Sequence, residues 1–508
     1  MCRARILRGV PRCGVVAVLG WLAATGLFTA PQVWACGGFF CQAVPIDQAG
    51  EQIIFRQDGE MVTAVVLIQY DGASEDFSWV LPVPGVPEVT LASDLVFAPL
   101  ELATRPQFIL TVEGAACPTP GFDLFQDDFG TSAGGGGASP EADPGVEVLE
   151  ELDVGPFAIQ IVSSEDPQAM ATWLEDNGYD LTDRGAELIA PYVEDGMNFV
   201  AMKLRQDQGV GDIQPIMLSY QSAVPMIPIR LTAVAALEDM GIIVWMLGEA
   251  RAVPLNYPHV EVNYTRLNWF NGSAFAYADY QDLVTEAMNE VGGLGFATDY
   301  AGDDLDVLAQ LPDPDALREE VALLDGLAES LDFYAALISS FVLPQARTEE
   351  ILRRQLPLPE GADEVIYSAP SLLVGAFDEQ TLSDARTAIL TELVEANVVP
   401  LEATLAVFEG TPYLTRLYTT LSPEEMTLDP TFSFNPDLTG QPLVREATLR
   451  LSCRSGRTHQ ELILGPGTGR DGDLVVRVIP SSPRLMRIDS AMCSPPYITP
   501  IGSMDVAR

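Results

Sequence analysis

The chain has 508 residues, 48% of them hydrophobic, with 72 acidic residues against 27 basic ones and a formal net charge of −45. A polyanion of this size is repelled by nucleic-acid phosphates and by anionic lipid headgroups, so neither is expected as a partner. Its length and apolar content allow a large buried core and predict two or three packed domains.

Residues 1–35 predict an export signal. Four arginines precede an uncharged apolar segment from Gly14 to Ala30, and Val33-Trp34-Ala35 supplies small or apolar residues at the −3 and −1 positions of a cleavage site. The alternative is an uncleaved membrane anchor, but the apolar segment is shorter than the roughly 20 residues that a spanning helix needs. We therefore predict an exported protein, periplasmic, on the cell surface or extracellular, with no transmembrane segment after cleavage.

Five cysteines follow the predicted cleavage site. Export to an oxidising compartment makes disulfides the default, and Cys453 and Cys493 are close enough in sequence to be predicted as a pair. Cys36, Cys41 and Cys117 remain, an odd number, so one thiol is free, lipidated or paired between chains. Cys36 either pairs with Cys41 across a Gly-Gly-Phe-Phe turn or carries a lipid anchor, since Val-Trp-Ala-Cys loosely resembles a bacterial lipobox. With lipid on Cys36, Cys41 could pair with Cys117.

Residues 36–113 are the predicted β-rich N-terminal domain, in which runs of β-branched and apolar residues indicate four strands. Asp58-Gly59 between the first two runs predicts a hairpin turn. Ser93 is predicted to cap a short helix that ends near Thr104. The strands are predicted at residues 52–55, 62–70, 77–82 and 107–112.

Residues 114–147 are rich in glycine, proline and acids, a composition that predicts a linker or mobile loop. Residues 148–300 are predicted to form an α+β domain with helices near 167–177 and 184–194. Its strands are predicted at 146–162, 198–204, 213–220, 227–234 and 242–247.

Residues 301–425 are the predicted helical region. Apolar residues at steps of three and four from Asp315 to Phe341 predict one continuous helix, and another is predicted at 383–397. Residues 426–508 return to strand patterns and are predicted as a small β-rich C-terminal region. The expected fold class is therefore α+β, with mostly antiparallel β structure in the N-terminal and central parts.

The residue inventory offers few catalytic groups. His259 and His459 are the two histidines of the chain, and no His-Glu-x-x-His zinc motif occurs. Aromatic residues surround His259, which is interpreted as a hydrogen-bonded histidine at a sheet edge, with a ligand pocket as the alternative. No catalytic residue and no cofactor is assigned, and metal ligands stay unassigned.

Three functions are compatible with these observations. The preferred one is an exported acidic cell-envelope or secreted protein with a structural or binding role, tethered through Cys36 if that residue is lipidated. The first alternative is an exported hydrolase, because 72 acids offer many carboxylate pairs. The second is a surface protein stabilised by calcium or other divalent cations, given the negative charge.

Several short segments resemble one bacterial family. The most specific is the Cys-Gly-Gly-Phe-Phe-Cys signature directly after the predicted cleavage site. On these motifs the chain is similar to an uncharacterised exported family, domain of unknown function 2330, and the resemblance implies an exported bacterial protein without implying an activity or a site residue. The similar segments are residues 35–41, 44–48, 77–84, 104–108, 227–232, 244–248, 252–257 and 421–426.

Overall fold

The structure is a computed structural model that describes most of the chain from residue 48 onward. The described residues are 48–69, 77–115, 146–179, 181–270, 272–303, 305–358, 363–455, 457–465, 468, 475–480, 486–488 and 498–501.

The strands alternate with helices in the first two thirds of the described chain. They are β1 (Gln48–Asp58), β2 (Met61–Leu67), β3 (Ser78–Val83), β4 (Glu88–Leu91), β5 (Gln107–Gly114), β6 (Glu147–Val154), β7 (Phe157–Ser163), β8 (Asn198–Leu204), β9 (Ile216–Gln221), β10 (Ala236–Gly248), β11 (Ala252–Pro254), β12 (His259–Val262), β13 (Phe296–Asp303), β14 (Tyr413–Leu421), β15 (Phe432–Phe434), β16 (Val444–Arg454), β17 (Arg457–Leu464), β18 (Val475–Pro480), β19 (Met486–Ile488) and β20 (Ile498–Ile501).

Most helices fall between β13 and β14. They are α1 (Phe97–Thr104), α2 (Pro167–Asp176), α3 (Asp183–Glu194), α4 (Ile229–Thr232), α5 (Gly272–Glu290), α6 (Leu305–Leu308), α7 (Pro314–Asp325), α8 (Ser330–Ile338), α9 (Gln345–Gln355), α10 (Pro370–Ala376), α11 (Glu379–Leu393) and α12 (Val399–Ala406). No helix in this described part is long and apolar enough to cross a bilayer.

A nine-stranded sheet joins strands from all four segments predicted after the leader, apart from the linker. Its order is β20-β12-β13-β14-β10-β1-β2-β9-β4, so the N-terminal strand β1 lies beside β10, and β14 lies between β10 and β13. Smaller sheets have the orders β19-β18-β17-β16-β5, β3-β8-β7-β6 and β11-β15. Most described strand pairings are antiparallel, the parallel ones being β1 with β10, β12 with β13 and β5 with β16. The predicted α+β class is confirmed.

Both faces of the nine-stranded sheet are buried. On β10, Trp245 and Leu247 join a core formed with α1, α5 and the helices after β13, whereas Val244 and Met246 join a second core with β3, β7 and β8. This alternation follows from the two-residue period of a strand. Burial on both faces explains why β10 reads as a nearly continuous apolar run.

Several local predictions are confirmed. β1 and β2 form the hairpin, with Asp58 paired to Met61 across a turn in which Gly59 has a φ of +63°. Ser93 accepts a hydrogen bond from the backbone N–H of Leu95 and caps the turn that leads into α1. The helices predicted near 167–177 and 184–194 are confirmed as α2 and α3, and the structure shows that Asp166 and Thr182 cap their N-termini.

The strand predicted at residues 227–234 is wrong, because this segment contains the single-turn helix α4. A short buried apolar run does not distinguish a strand from a helix. Its conformation is fixed by a tertiary contact: Nη2 of Arg230 lies 2.6 Å from Oδ2 of Asp429, and the backbone N–H of Arg230 donates to Oδ1 of the same carboxylate.

The single helix predicted from Asp315 to Phe341 is also wrong. The chain forms α7 and α8, with the break after Gly326, and Phe341 is fully exposed. Arg386 of α11 donates to the backbone oxygens of Leu324, Asp325 and Leu327 at this break. These carbonyls therefore have a partner outside the helix, which stabilises the interruption.

Candidate functional site

A polar groove of about 720 Å³ lies beside α9 and α11. The turn between β6 and β7 and the segment after β8 contribute the opposite wall. Five acids and two arginines line the groove, and hydroxyl and amide side chains complete it, so it is suited to a polar ligand. The charged lining residues are Arg205, Asp207, Asp212, Arg354, Asp384, Glu392 and Glu395.

Arg354 connects the walls of the groove. Its Nη1 and Nη2 donate to the two carboxylate oxygens of Asp212, at 2.9 and 3.2 Å, and its Nε donates to Oε1 of Glu392 at 2.7 Å. Burial alone would lower the pKa of Arg354, but these two carboxylates raise it above its ordinary value. The charge-assisted contacts fix the position of Asp212 and Glu392, and with them the shape of the groove.

Local backbone structure places these side chains. Asp212 ends a 3-10 turn that lies directly against α9, so a Cβ atom at Gly211 would come within 2.7 Å of the carbonyl oxygen of Ala346. On the other wall, α11 continues into a π-helical turn, Val394–Val398. Nε2 of Gln214 donates to the carbonyl of Ala396 in that turn at 2.8 Å. The π turn thus carries Glu395 onto the groove, a use typical of such turns at functional sites.

His259 has two hydrogen-bonding neighbours, as interpreted from the sequence. Its Nε2 lies 3.1 Å from Nη2 of Arg251 and 2.9 Å from Oγ1 of Thr298. Burial, followed by the charge of Arg251, lowers the pKa of His259 to about 3, so the imidazole is neutral at ordinary pH. β12 has a partner strand on each side, so His259 does not lie at a sheet edge. His459 is exposed on β17.

Among the cysteines singled out from the sequence, Cys453 lies on β16, opposite Thr458 of β17. Cys36, Cys41, Cys117 and Cys493 lie outside the described residues, and so does most of the predicted linker at 114–147. The disulfides and the lipidation therefore stay predictions. Among the described side chains, no group of three or more His, Cys, Asp or Glu residues is arranged to hold a metal ion.

Comparison with known families gives one match. A family described as an uncharacterized protein conserved in bacteria, DUF2330, matches residues 30–323, more than half of the chain. The chain belongs to this family. The resemblance inferred from the motifs is thereby confirmed. A search of curated proteins found no match, and a search of solved structures found none either.

The groove combines the DUF2330 segment with the chain that follows it. Arg205 and Asp212 lie within the matched residues, whereas Arg354, Glu392 and Glu395 lie after them. Sequence reasoning missed all of these residues. Arg354 and Glu392 lie on ordinary charged helix faces, and Arg205 and Asp212 lie in the irregular segment after β8. No motif signals that this segment meets α9 and α11.

Proposed function

We propose that this protein is exported to the bacterial cell envelope or beyond it and acts by binding a polar, positively charged organic ligand in the groove. The observation that carries the proposal is the preformed groove itself, whose walls Arg354 holds together through Asp212 and Glu392. A site that is ordered before the ligand arrives loses less entropy on binding.

The sign of the ligand follows from the charges. Five carboxylates and two guanidinium groups line the groove, an excess of three negative charges. Arg354 is already engaged by two of the acids, and Nε of Arg205 lies 3.8 Å from Oδ1 of Asp207. Asp384 and Glu395 remain exposed beside the hydroxyls of α11. Carboxylates and hydroxyls together accept hydrogen bonds from an amine or guanidinium group.

Binding is preferred to hydrolysis for a geometric reason. The two acids of the groove that are most enclosed, Asp212 and Glu392, both contact the guanidinium group of Arg354. A carboxylate-pair hydrolase instead needs two carboxyl groups that flank the scissile bond, one of which donates a proton. Shared contact with one arginine fixes these carboxylates as acceptors and supports a role in shaping the groove.

The binding proposal predicts that spermidine, used as a probe, raises the melting temperature of the mature protein. A ligand that binds the native state stabilises it by mass action. In the double variant Asp384→Asn/Glu395→Gln, affinity should fall about tenfold, because two attractive charges are lost. Thermal melts with increasing spermidine at constant ionic strength measure the rise in melting temperature, and its dependence on spermidine concentration gives the affinity.

A matched control separates the groove from the general attraction of a polyanion for cations. Asp315→Asn/Glu319→Gln removes two exposed acids of α7 and should leave the spermidine response unchanged. An equal loss in both double variants would contradict binding in the groove. A response to calcium chloride as large as that to spermidine would support the alternative of a protein stabilised by divalent cations.

The export proposal predicts that the mature chain begins at Cys36. Its support is the leader pattern of residues 1–35. Non-reducing peptide mass mapping of protein from a secreting bacterial host tests it. A diacylglyceryl group on Cys36 would indicate a tethered lipoprotein, and a disulfide between Cys36 and Cys41 without lipid would indicate a soluble exported protein. A mature chain that retains residues 1–35 would contradict cleavage.

A further inference from the structure

A second cavity, of about 150 Å³, lies beside β12 and β13 and shares no lining residue with the groove. Arg251, His259, Tyr264, Tyr280 and Thr298 are among the residues that line it. Pockets for drug-sized ligands usually exceed about 300 Å³. The cavity therefore suits a group of only a few non-hydrogen atoms.

Arg251 brings a buried positive charge to this cavity. The residue is 8% exposed, and its Nη1 donates to the carbonyl oxygen of Thr439 at 2.9 Å. Its Nε is buried and has no hydrogen-bond partner. Within the described residues, no acidic side chain forms an ion pair with Arg251, and burial lowers its pKa without a carboxylate to oppose the change. A buried N–H of a charged group without an acceptor is costly.

His259 does not compensate this charge. The Nη2 group of Arg251 can only donate, so Nε2 of His259 accepts and the ring proton resides on Nδ1. The imidazole is neutral, as its lowered pKa of about 3 requires. Arg251 and His259 thus form a hydrogen-bonded pair that retains one full positive charge.

Two further arginines add to the local positive charge. Arg416 and Arg445 are fully buried. Burial is the main cause of the lowered pKa of Arg251, and the positive charge of Arg445 lowers that pKa further. Asp299 is the buried carboxylate in contact with this group, and it lies 3.2 Å from Nε of Arg416. Glu101, with a side chain 30% exposed, lies 4.0 Å from Nη2 of Arg416, so both carboxylates that pair with this group contact Arg416. Among the described residues Arg251 therefore has no carboxylate partner, a deficit that a bound anion would relieve.

We propose that this cavity binds a small, singly charged oxyanion, such as a short carboxylate or dihydrogen phosphate. Nε–H of Arg251 is one donor for it. The hydroxyl of Tyr264 is a second, because its oxygen accepts from Nε of Arg445 at 3.0 Å and its hydrogen remains to be donated. Guanidinium groups bind oxyanions through such charge-assisted hydrogen bonds. Glu261, which also lines the cavity, opposes a second negative charge on the ligand.

The test compares thermal melts in sodium formate, sodium phosphate and sodium chloride at pH 6 and equal ionic strength. Formate or phosphate should raise the melting temperature relative to chloride. Arg251→Gln should weaken this response at least about tenfold, and Tyr264→Phe should weaken it several-fold while retaining the arginine. Arg450→Gln, an exposed arginine of β16, should respond as the wild type does.

The variants also distinguish a ligand site from a structural contact. If Arg251 serves the anion, Arg251→Gln in chloride should melt no lower than the wild type, because a buried charge without a counter-ion has been removed. Equal melting temperatures of the wild type in all three salts would overturn the proposal. So would an undiminished response in Arg251→Gln or, if that variant does not fold, in Tyr264→Phe.

Discussion

Replacing Asp299 with alanine is expected to lower the free energy of unfolding by about 3 to 5 kcal/mol. Asp299 and Arg416 are both fully buried, with Oδ2 and Nε 3.2 Å apart. Tyr280 donates its hydroxyl to Oδ1 of Asp299, and Nη2 of Arg445 donates to the Asp299 carbonyl at 2.7 Å. Burial lowers the pKa of Arg416 and the carboxylate of Asp299 raises it, but the ordinary pKa of arginine is so high that Arg416 stays charged when this partner is removed.

Urea denaturation followed by tryptophan fluorescence measures this loss. Asp303→Ala is the matched control, because Asp303 lies on the same strand with an exposed side chain and its removal should change stability by no more than about 0.5 kcal/mol. A loss below about 1 kcal/mol for Asp299→Ala would mean that the buried arginines do not depend on this carboxylate.

Glu51 should make the stability of the protein fall as the pH rises. Its side chain is buried on β1, on the same face as Ile53 and Phe55, and its Oε2 has no hydrogen-bond partner. Burial raises the pKa of Glu51 from 4.5 to about 7. The folded state holds this proton more tightly than the unfolded state does. Ionisation of Glu51 therefore costs folding free energy: nothing below pH 4.5, an increasing amount between pH 4.5 and 7, and about 3 kcal/mol above that range.

Glu51→Gln removes the ionisation, so its free energy of unfolding should rise relative to that of the wild type by about 3 kcal/mol as the pH increases from 4.5 to 8. Urea denaturation of both proteins across this range measures the difference. Glu60→Gln provides the control, since Glu60 is exposed in the turn directly before β2 of the same hairpin and should show no such trend. A difference between Glu51→Gln and wild type that does not change with pH would contradict the burial of an ionisable carboxylate.

The sequence was sufficient to predict those features that depend on residues close together in the chain, such as tight turns and helix ends. The hairpin of β1 and β2 turns at Gly59 and Glu60, directly after Asp58, and a two-residue turn that begins with a glycine at positive φ specifies the register of both strands. Helices α2 and α3 depend on capping residues that act within three positions of themselves. Such features need no information about the rest of the chain.

Tertiary contacts decided the features that the sequence did not reveal. β14 lies inside the region predicted as helical, yet it pairs with both β10 and β13 in the middle of the nine-stranded sheet. Its tyrosines and threonines favour a strand, but its place between β10 and β13 depends on partners far away in the sequence. The break between α7 and α8 depends on Arg386 of another helix, so the periodicity of that segment alone could not locate it.

The groove and the cavity beside Arg251 could not be predicted from the sequence for a related reason. Arginine usually lies on the surface, and nothing in the sequence marks Arg251, Arg416 and Arg445 as buried. The carboxylate and guanidinium groups of the groove come from segments separated by more than a hundred residues, as the contact between Asp212 and Arg354 illustrates. Their convergence is a property of the fold.

Isothermal titration of spermidine into the mature protein tests the binding function most directly. The proposed groove predicts saturable binding with about one site per chain, and an affinity about tenfold weaker in Asp384→Asn/Glu395→Gln than in Asp315→Asn/Glu319→Gln. Heat that does not saturate, or that is the same in the two double variants, would show that spermidine follows the overall negative charge of the protein and that the groove is not its site.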